Sequence, residues 1–230
     1  MTPTPAIGPN GPWPSLASNE RRVLGVLVEK AKTSADGYPM SLNALTTGCN
    51  QKSNRDPIMD LDEDDVEESL RTLRSMGLVC PVQGGRVDKW RHLLYESWHI
   101  DKRESAIIAE LLLRGPQTEG ELRTRASRME SLPDLETLRG YLKAMVERNL
   151  VVYLTAEDRR GAVLTHGLHP PDELRHLKAH FASAPATVAT AAPPVPREDQ
   201  GKLAAEIAEL RAEVAALRAE VASLKAQLGG

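Results

Sequence analysis

Apolar residues return at helical intervals in two matching sets. Val23, Leu24, Leu27 and Val28 form one stripe, and Ile107, Ile108, Leu111 and Leu112 repeat its spacing. A second pair of stripes follows suit. Val66, Leu70 and Leu73 precede Gly77-Leu78-Val79, while Leu138, Leu142 and Met145 precede Asn149-Leu150-Val151. Gly77 and Asn149 stand where each helix must stop, and both residue types tolerate left-handed backbone there. An apolar strand follows each stop. Gly84-Gly85 then marks a tight hairpin with Arg86 to Leu94 as its return strand. In the second set, Ala156 to Gly161 turns and Ala162 to Leu168 returns.

A short helix fits between the outer helices of each set. Leu42 to Asn50 is preceded by Ser41 as N-cap, and Thr118 with Glu121 forms a capping box for Glu119 to Ala126. Each unit therefore reads helix, short helix, helix, β-hairpin, which is the winged-helix plan. The expected fold is mainly α with small β-hairpins: tandem winged-helix domains plus a C-terminal coiled coil. The first domain covers residues 17–98. The second covers 99–182 and includes a trailing helix from Pro171 to Phe181. Residues 1–16, with five prolines and two glycines, are expected to be flexible.

Residues 183–197 form a low-complexity Ala/Pro linker of the semi-flexible kind. Residues 198–230 then carry a heptad seam: Leu203, Ile207, Leu210, Val214, Leu217, Val221, Leu224 and Leu228. β-Branched residues at a with Leu at d favour a parallel two-stranded coiled coil. Glu206, Glu213 and Glu220 at g each lie five positions before a cation at e: Arg211, Arg218 and Lys225. A homodimer through this segment is expected.

Composition narrows the function more than it defines it. A net charge of −3 exerts no global pull toward nucleic acid, so such binding would need local basic patches. The two cysteines, Cys49 and Cys80, form no Cys-x-x-Cys pair, and neither a disulfide framework nor a thiolate zinc site is expected. No signal peptide or membrane span is read, so a cytoplasmic location is expected.

The stretch from Tyr38 to Pro57, YPMSLNALTTGCNQKSNRDP, resembles the signature of the YceH-like family of uncharacterised bacterial proteins. Arg22, Leu27, Glu29 and Lys30 fit the same pattern, as does Asp62 to Val79. The resemblance covers residues 18–170, and Ser41 to Pro57 is its most specific part. It implies tandem winged-helix domains and no settled function.

The most pointed polar cluster is Asn50, Gln51, Lys52, Ser53, Asn54 and Arg55, placed where a helix-turn-helix ends its second helix. Such groups contact phosphates and base edges, and equally they set turns by bonding local backbone. Arg86, Lys89 and Arg91 lie on the first wing. Arg123, Arg125, Arg139 and Lys143 offer a basic surface on the second unit. Against them stand Asp60, Asp62, Glu63, Asp64, Asp65, Glu67 and Glu68, which load the start of the first recognition-position helix with acid. Acid there suits the helix dipole and opposes phosphate.

His166, His169, His176 and His180 are read as incidental, and no metal or cofactor is expected. Cys49 is read as a buried thiol. No nucleophile, base and orienting partner can be assembled, so the chain is read as no enzyme. Two functions remain. The preferred reading, on the Asn50–Arg55 cluster and the second unit's arginines, is a dimeric DNA-binding and regulatory protein. The alternative is a protein-interaction adaptor that uses the winged-helix surfaces, favoured by the acidic helix start and the acidic net charge.

Overall fold

A computed structural model describes residues 13–83, 88–159 and 161–183. The heptad segment and its dimerisation seam, the Ala/Pro linker, Arg86 and the tip of the first hairpin lie outside the described residues.

The first apolar stripe becomes helix α1 (Ser18–Thr33), in which every residue from Arg22 to Glu29 is buried. A helix buried on all sides belongs at the centre of a fold rather than on its surface. A two-residue strand, β1 (Met40–Ser41), then leads into α2 (Leu42–Cys49). Ser41 caps α2 by accepting from the Ala44 N–H at 3.3 Å. Next comes α3 (Glu63–Ser75), whose N-cap Asp62 forms a capping box with Asp65. The hairpin of β2 (Val79–Val82) and β3 (Lys89–His92) closes this first repeat. Its strands pair antiparallel with Val79 opposite His92, and β1 adds to the free edge of β3 with Met40 opposite Trp90.

After a short helix, α4 (Leu94–Trp98), the same order returns. Helix α5 (Lys102–Arg114) leads through β4 (Gln117–Thr118) to α6 (Glu119–Ala126) and α7 (Leu135–Glu147). Strands β5 (Val151–Tyr153) and β6 (Val163–His166) form its hairpin. The two sheets have matching orders, β1-β3-β2 and β4-β6-β5. Gly77 and Asn149 adopt φ of 72° and 56°, the left-handed stops that their positions predict. Helix α8 (Pro171–Ser183) closes the described chain.

All fourteen side chains of the four helical stripes (Val23, Leu24, Leu27, Val28, Val66, Leu70, Leu73, Ile107, Ile108, Leu111, Leu112, Leu138, Leu142 and Met145) are buried, as is Leu45 on α2, and the two repeats share one apolar core. That sharing comes from α1 packing on α5. A Cβ on Gly25 would stand 3.0 Å from the Leu113 side chain, so the approach of these helices depends on glycine. Residues 13–16 differ from expectation. Leu16 is fully buried and its N–H donates to the Leu168 carbonyl at 2.9 Å. The Trp13 indole donates to the Arg148 carbonyl at 2.5 Å and meets Trp98 edge-on at 5.3 Å. Apolar burial of one Trp and one Leu outweighs the looseness that the nearby prolines suggest.

Candidate functional site

The Asn50–Arg55 cluster folds inward. Asn50 clamps the loop that follows α2 by donating to the Leu61 carbonyl at 2.7 Å and accepting from the Leu61 N–H at 2.9 Å. Asn54 sits at φ 59° and offers its side-chain oxygen to Arg114 at 2.8 Å. Gln51 accepts from Arg55 at 2.9 Å. Arg55 itself is buried, which removes it from any surface contact with DNA. Its guanidinium holds Glu29 in a two-pronged ion pair at 3.2 and 2.6 Å and donates to the Gly48 carbonyl. Of the six residues, only Lys52 and Ser53 stay exposed.

Most of the other candidate cations are also engaged. Arg91 pairs with Glu96 at 2.8 Å. Arg123 donates to the carbonyls of Leu132 and Pro133, and so fixes the turn between α6 and α7. Arg125 bonds Gln117 and Glu121. Arg139 pairs with Glu119 at 2.8 Å, and Tyr153 donates to the same carboxylate. Lys89 and Lys143 are exposed with no ion pair among the described residues. Lys143 and Arg139 border a groove of about 590 Å³ that Glu119, Glu157 and Asp158 also line.

What the sequence does not disclose is a buried ion network between the repeats. Arg128 of the second repeat reaches Glu29 on α1 at 2.5 Å and Glu110 on α5 at 3.2 Å. Arg114 stands 3.1 Å from Glu110 through its Nε. Burial pushes the Glu29 carboxyl up, yet the hydrogen bonds and charges of Arg55 and Arg128 outweigh it and hold the group below its ordinary range. Arg22 is buried beside this network and donates to the carbonyls of Cys49 and Pro57 at 2.9 and 2.5 Å. It has no carboxylate partner among the described residues. Four guanidinium groups (Arg22, Arg55, Arg114, Arg128) thus face two carboxylates (Glu29, Glu110). Burial, and then the charge of Arg55, lower the Arg22 pKa. The run of polar residues after α2 hinted at this, and the paired lone acid in an apolar stripe, Glu29 or Glu110, was the signal to follow.

His166 and His169 stack at 3.8 Å. His169 meets Thr165 at 2.8 Å, Glu173 at 3.0 Å and Arg21 at 3.2 Å. Burial, then the charge of Arg21, holds His169 below its ordinary value. Burial also pushes the Cys49 thiol up to about 12, so it is no thiolate at neutral pH. Among the described residues no three His, Cys, Asp or Glu side chains are placed to hold a metal ion, and no helix is long and apolar enough to cross a membrane.

The chain is thus a mainly helical protein of two like repeats fused through a charged seam. It belongs to the family described as "Protein of unknown function, DUF480", whose pattern matches residues 16–160. This agrees with the YceH-like resemblance carried by Tyr38 to Pro57. It is similar to a UPF0502 protein of Rhodopirellula baltica, 53% identical over 163 residues, covering 70% of this chain and 68% of the relative. A UPF0502 protein of Geotalea daltonii is 44% identical over 176 residues, covering 76% of each chain. Another from Pseudomonas savastanoi pv. phaseolicola is 39% identical over 203 residues, covering 88% of this chain and 91% of its own.

Proposed function

We propose that this chain is a dimeric, non-catalytic adaptor of the cytoplasm that binds a basic protein segment through the first of two tandem winged-helix domains. The repeated helix–strand–helix–helix–hairpin order supports the winged-helix reading, and the heptad seam from Leu203 to Leu228 supports the dimer. The two unpaired cysteines suit a reducing compartment.

The observation that carries the adaptor reading is the charge on α3. Its exposed positions hold Glu63, Asp64, Asp65, Glu67 and Glu68. Of the two cations that follow, Arg71 is already held by Glu68 at 2.6 Å and by Glu67 at 3.9 Å. In a helix-turn-helix this element enters the DNA groove, where these carboxylates would meet phosphate. A cationic protein segment meets no such repulsion.

A second reading, DNA binding, rests on the second domain. Helix α7 turns Arg139, Gly140, Lys143 and Ala144 outward, and no atom lies within 4 Å of where a Cβ on Gly140 would stand. A phosphate backbone could approach this face closely.

Photo-crosslinking side chains placed at Glu67 and at Lys143 of the full chain in cells separate the two. Protein adducts at position 67 without nucleic acid at position 143 are the expected result. DNA attached at position 143, with a salt-dependent mobility shift whose slope falls by about one in Lys143→Ala, would replace the adaptor reading with the DNA reading. A position 67 that captures nothing sinks the adaptor.

A further inference from the structure

A cleft of about 510 Å³ opens between α1, the end of α5 and α8, a size within the usual range for small-molecule sites. None of the described side chains of α8 is fully buried, so this helix covers the cleft without filling it. One part of the wall is apolar: Met59, Leu111, Leu112, Leu177 and Phe181. The other part is rich in donors: Arg21, Arg22, Arg114, His166 and His169.

Two of these donors are almost wholly buried and lack a full set of partners. Arg22 is 1% exposed, and its Nε–H has no hydrogen-bond partner. His166 is also 1% exposed. Its Nδ1 accepts from the Leu168 N–H at 3.2 Å, so the neutral ring carries its proton on Nε2. No hydrogen bond of that N–H is found among the described residues, but unlike the Arg22 Nε–H the atom is not fully buried. The acids nearby do not answer the need. Glu173 is taken by Arg21 in a two-pronged pair at 2.8 Å and by His169, and Asp56 is exposed to solvent. Arg22 also adjoins the seam in which guanidinium groups outnumber carboxylates. A buried cation without a counter-charge is costly, and so is a buried donor without an acceptor. A ligand that brings one negative charge and two acceptor oxygens on an apolar body would relieve both.

We propose that this cleft binds a small, compact carboxylic acid. Its carboxylate accepts from Arg22 and His166 at the inner end, and its apolar body lies against Leu111, Leu112 and the inner face of α8.

The test titrates the full-length protein with 3-phenylpropanoate, with the neutral alcohol 3-phenylpropan-1-ol and with inorganic phosphate, following the ring signals of His166 and His169 by NMR. Saturable binding of the acid below about 1 mM is expected, with at least about tenfold weaker binding of the alcohol and of phosphate. Arg22→Gln should lose at least about tenfold in affinity for the acid. Leu177→Trp, which fills the cleft and leaves the ion network alone, should lose as much with an unchanged melting temperature. Absence of saturation by the acid, equal binding of the alcohol or of phosphate, or binding that survives Leu177→Trp would each overturn the proposal.

Discussion

Arg128 of the second repeat closes on Glu29 of the first at 2.5 Å, while Arg55 of the first repeat grips the same carboxylate from the other side at 2.6 Å. One acid therefore serves two cations that are 73 positions apart in the chain. Their burial differs: the Arg55 side chain is fully covered, and that of Arg128 is 29% exposed.

The difference sets the cost of losing each arginine. Arg55→Ala leaves the buried Glu29 carboxylate to the partly exposed Arg128, removes the donors to the Gly48 carbonyl and should cost about 3–5 kcal/mol. Arg128→Ala leaves Glu29 with Arg55 and Glu110 with Arg114, in a place that solvent reaches, and should cost roughly 1–2 kcal/mol. Urea unfolding of both variants checks the ranking. Equal losses would show that burial does not govern the network.

Stability should fall as the pH drops below about 6.5, the ordinary histidine value. Burial, then the charges of His169 and Arg21, holds His166 well below that value, and burial holds His92 at about 4. Between the unfolded and folded values the unfolded chain binds more protons, so unfolding becomes easier as acid is added. Glu29, depressed from the carboxylate range, acts only at lower pH. His166→Gln should flatten the slope between pH 6.5 and 5 by up to about 1.4 kcal/mol per pH unit. An unchanged slope in urea midpoints would place the titration elsewhere.

Gly25→Val should loosen the contact between α1 and α5. The added carbons would press on Leu112 and Leu113, the nearest atoms already standing at 3.0 Å from the Cβ position. Overpacking of this kind costs about 1–3 kcal/mol, more than a better helix former returns. Thermal unfolding would read the loss, and a raised melting temperature would contradict it.

Leu142→Ala on α7 should cost about 2–5 kcal/mol, because the side chain is 1% exposed and its removal opens a cavity. A loss below that range in calorimetry would mean that α7 collapses onto the space.

Removing everything after Pro196 should turn a dimer into a monomer in sedimentation, and Val214→Lys with Leu217→Lys should do the same in the full chain. Charges at a and d positions break the apolar seam. A truncated chain that remains a dimer would move the interface into the repeats.

The helices were legible in the sequence because an amphipathic stripe repeats often enough to be read. Strands β1 and β4 were not: two residues carry no period, and their pairing partners lie some fifty residues away. The sequence pattern places Leu94 at the end of a strand, yet it opens α4, a helix too short to show a stripe. Arg55 shows the deeper limit. A charged residue in a turn reads as surface, and only its meeting with Glu29, 26 positions earlier, turns it inward. The acidic face of α3 was legible, since solvent-facing charge needs no distant partner.

The shared carboxylate also bears on how the molecule comes apart. Each repeat has its own helices and hairpin, and either could be mistaken for a separable module. Yet Glu29 and Glu110, from the two central helices, are joined by Arg128, and Leu113 and Gly25 touch across the same seam. Opening one repeat would expose buried charge in the other. The pair should therefore unfold in one cooperative step, with the slowest-exchanging amides of α1 and α5 released together.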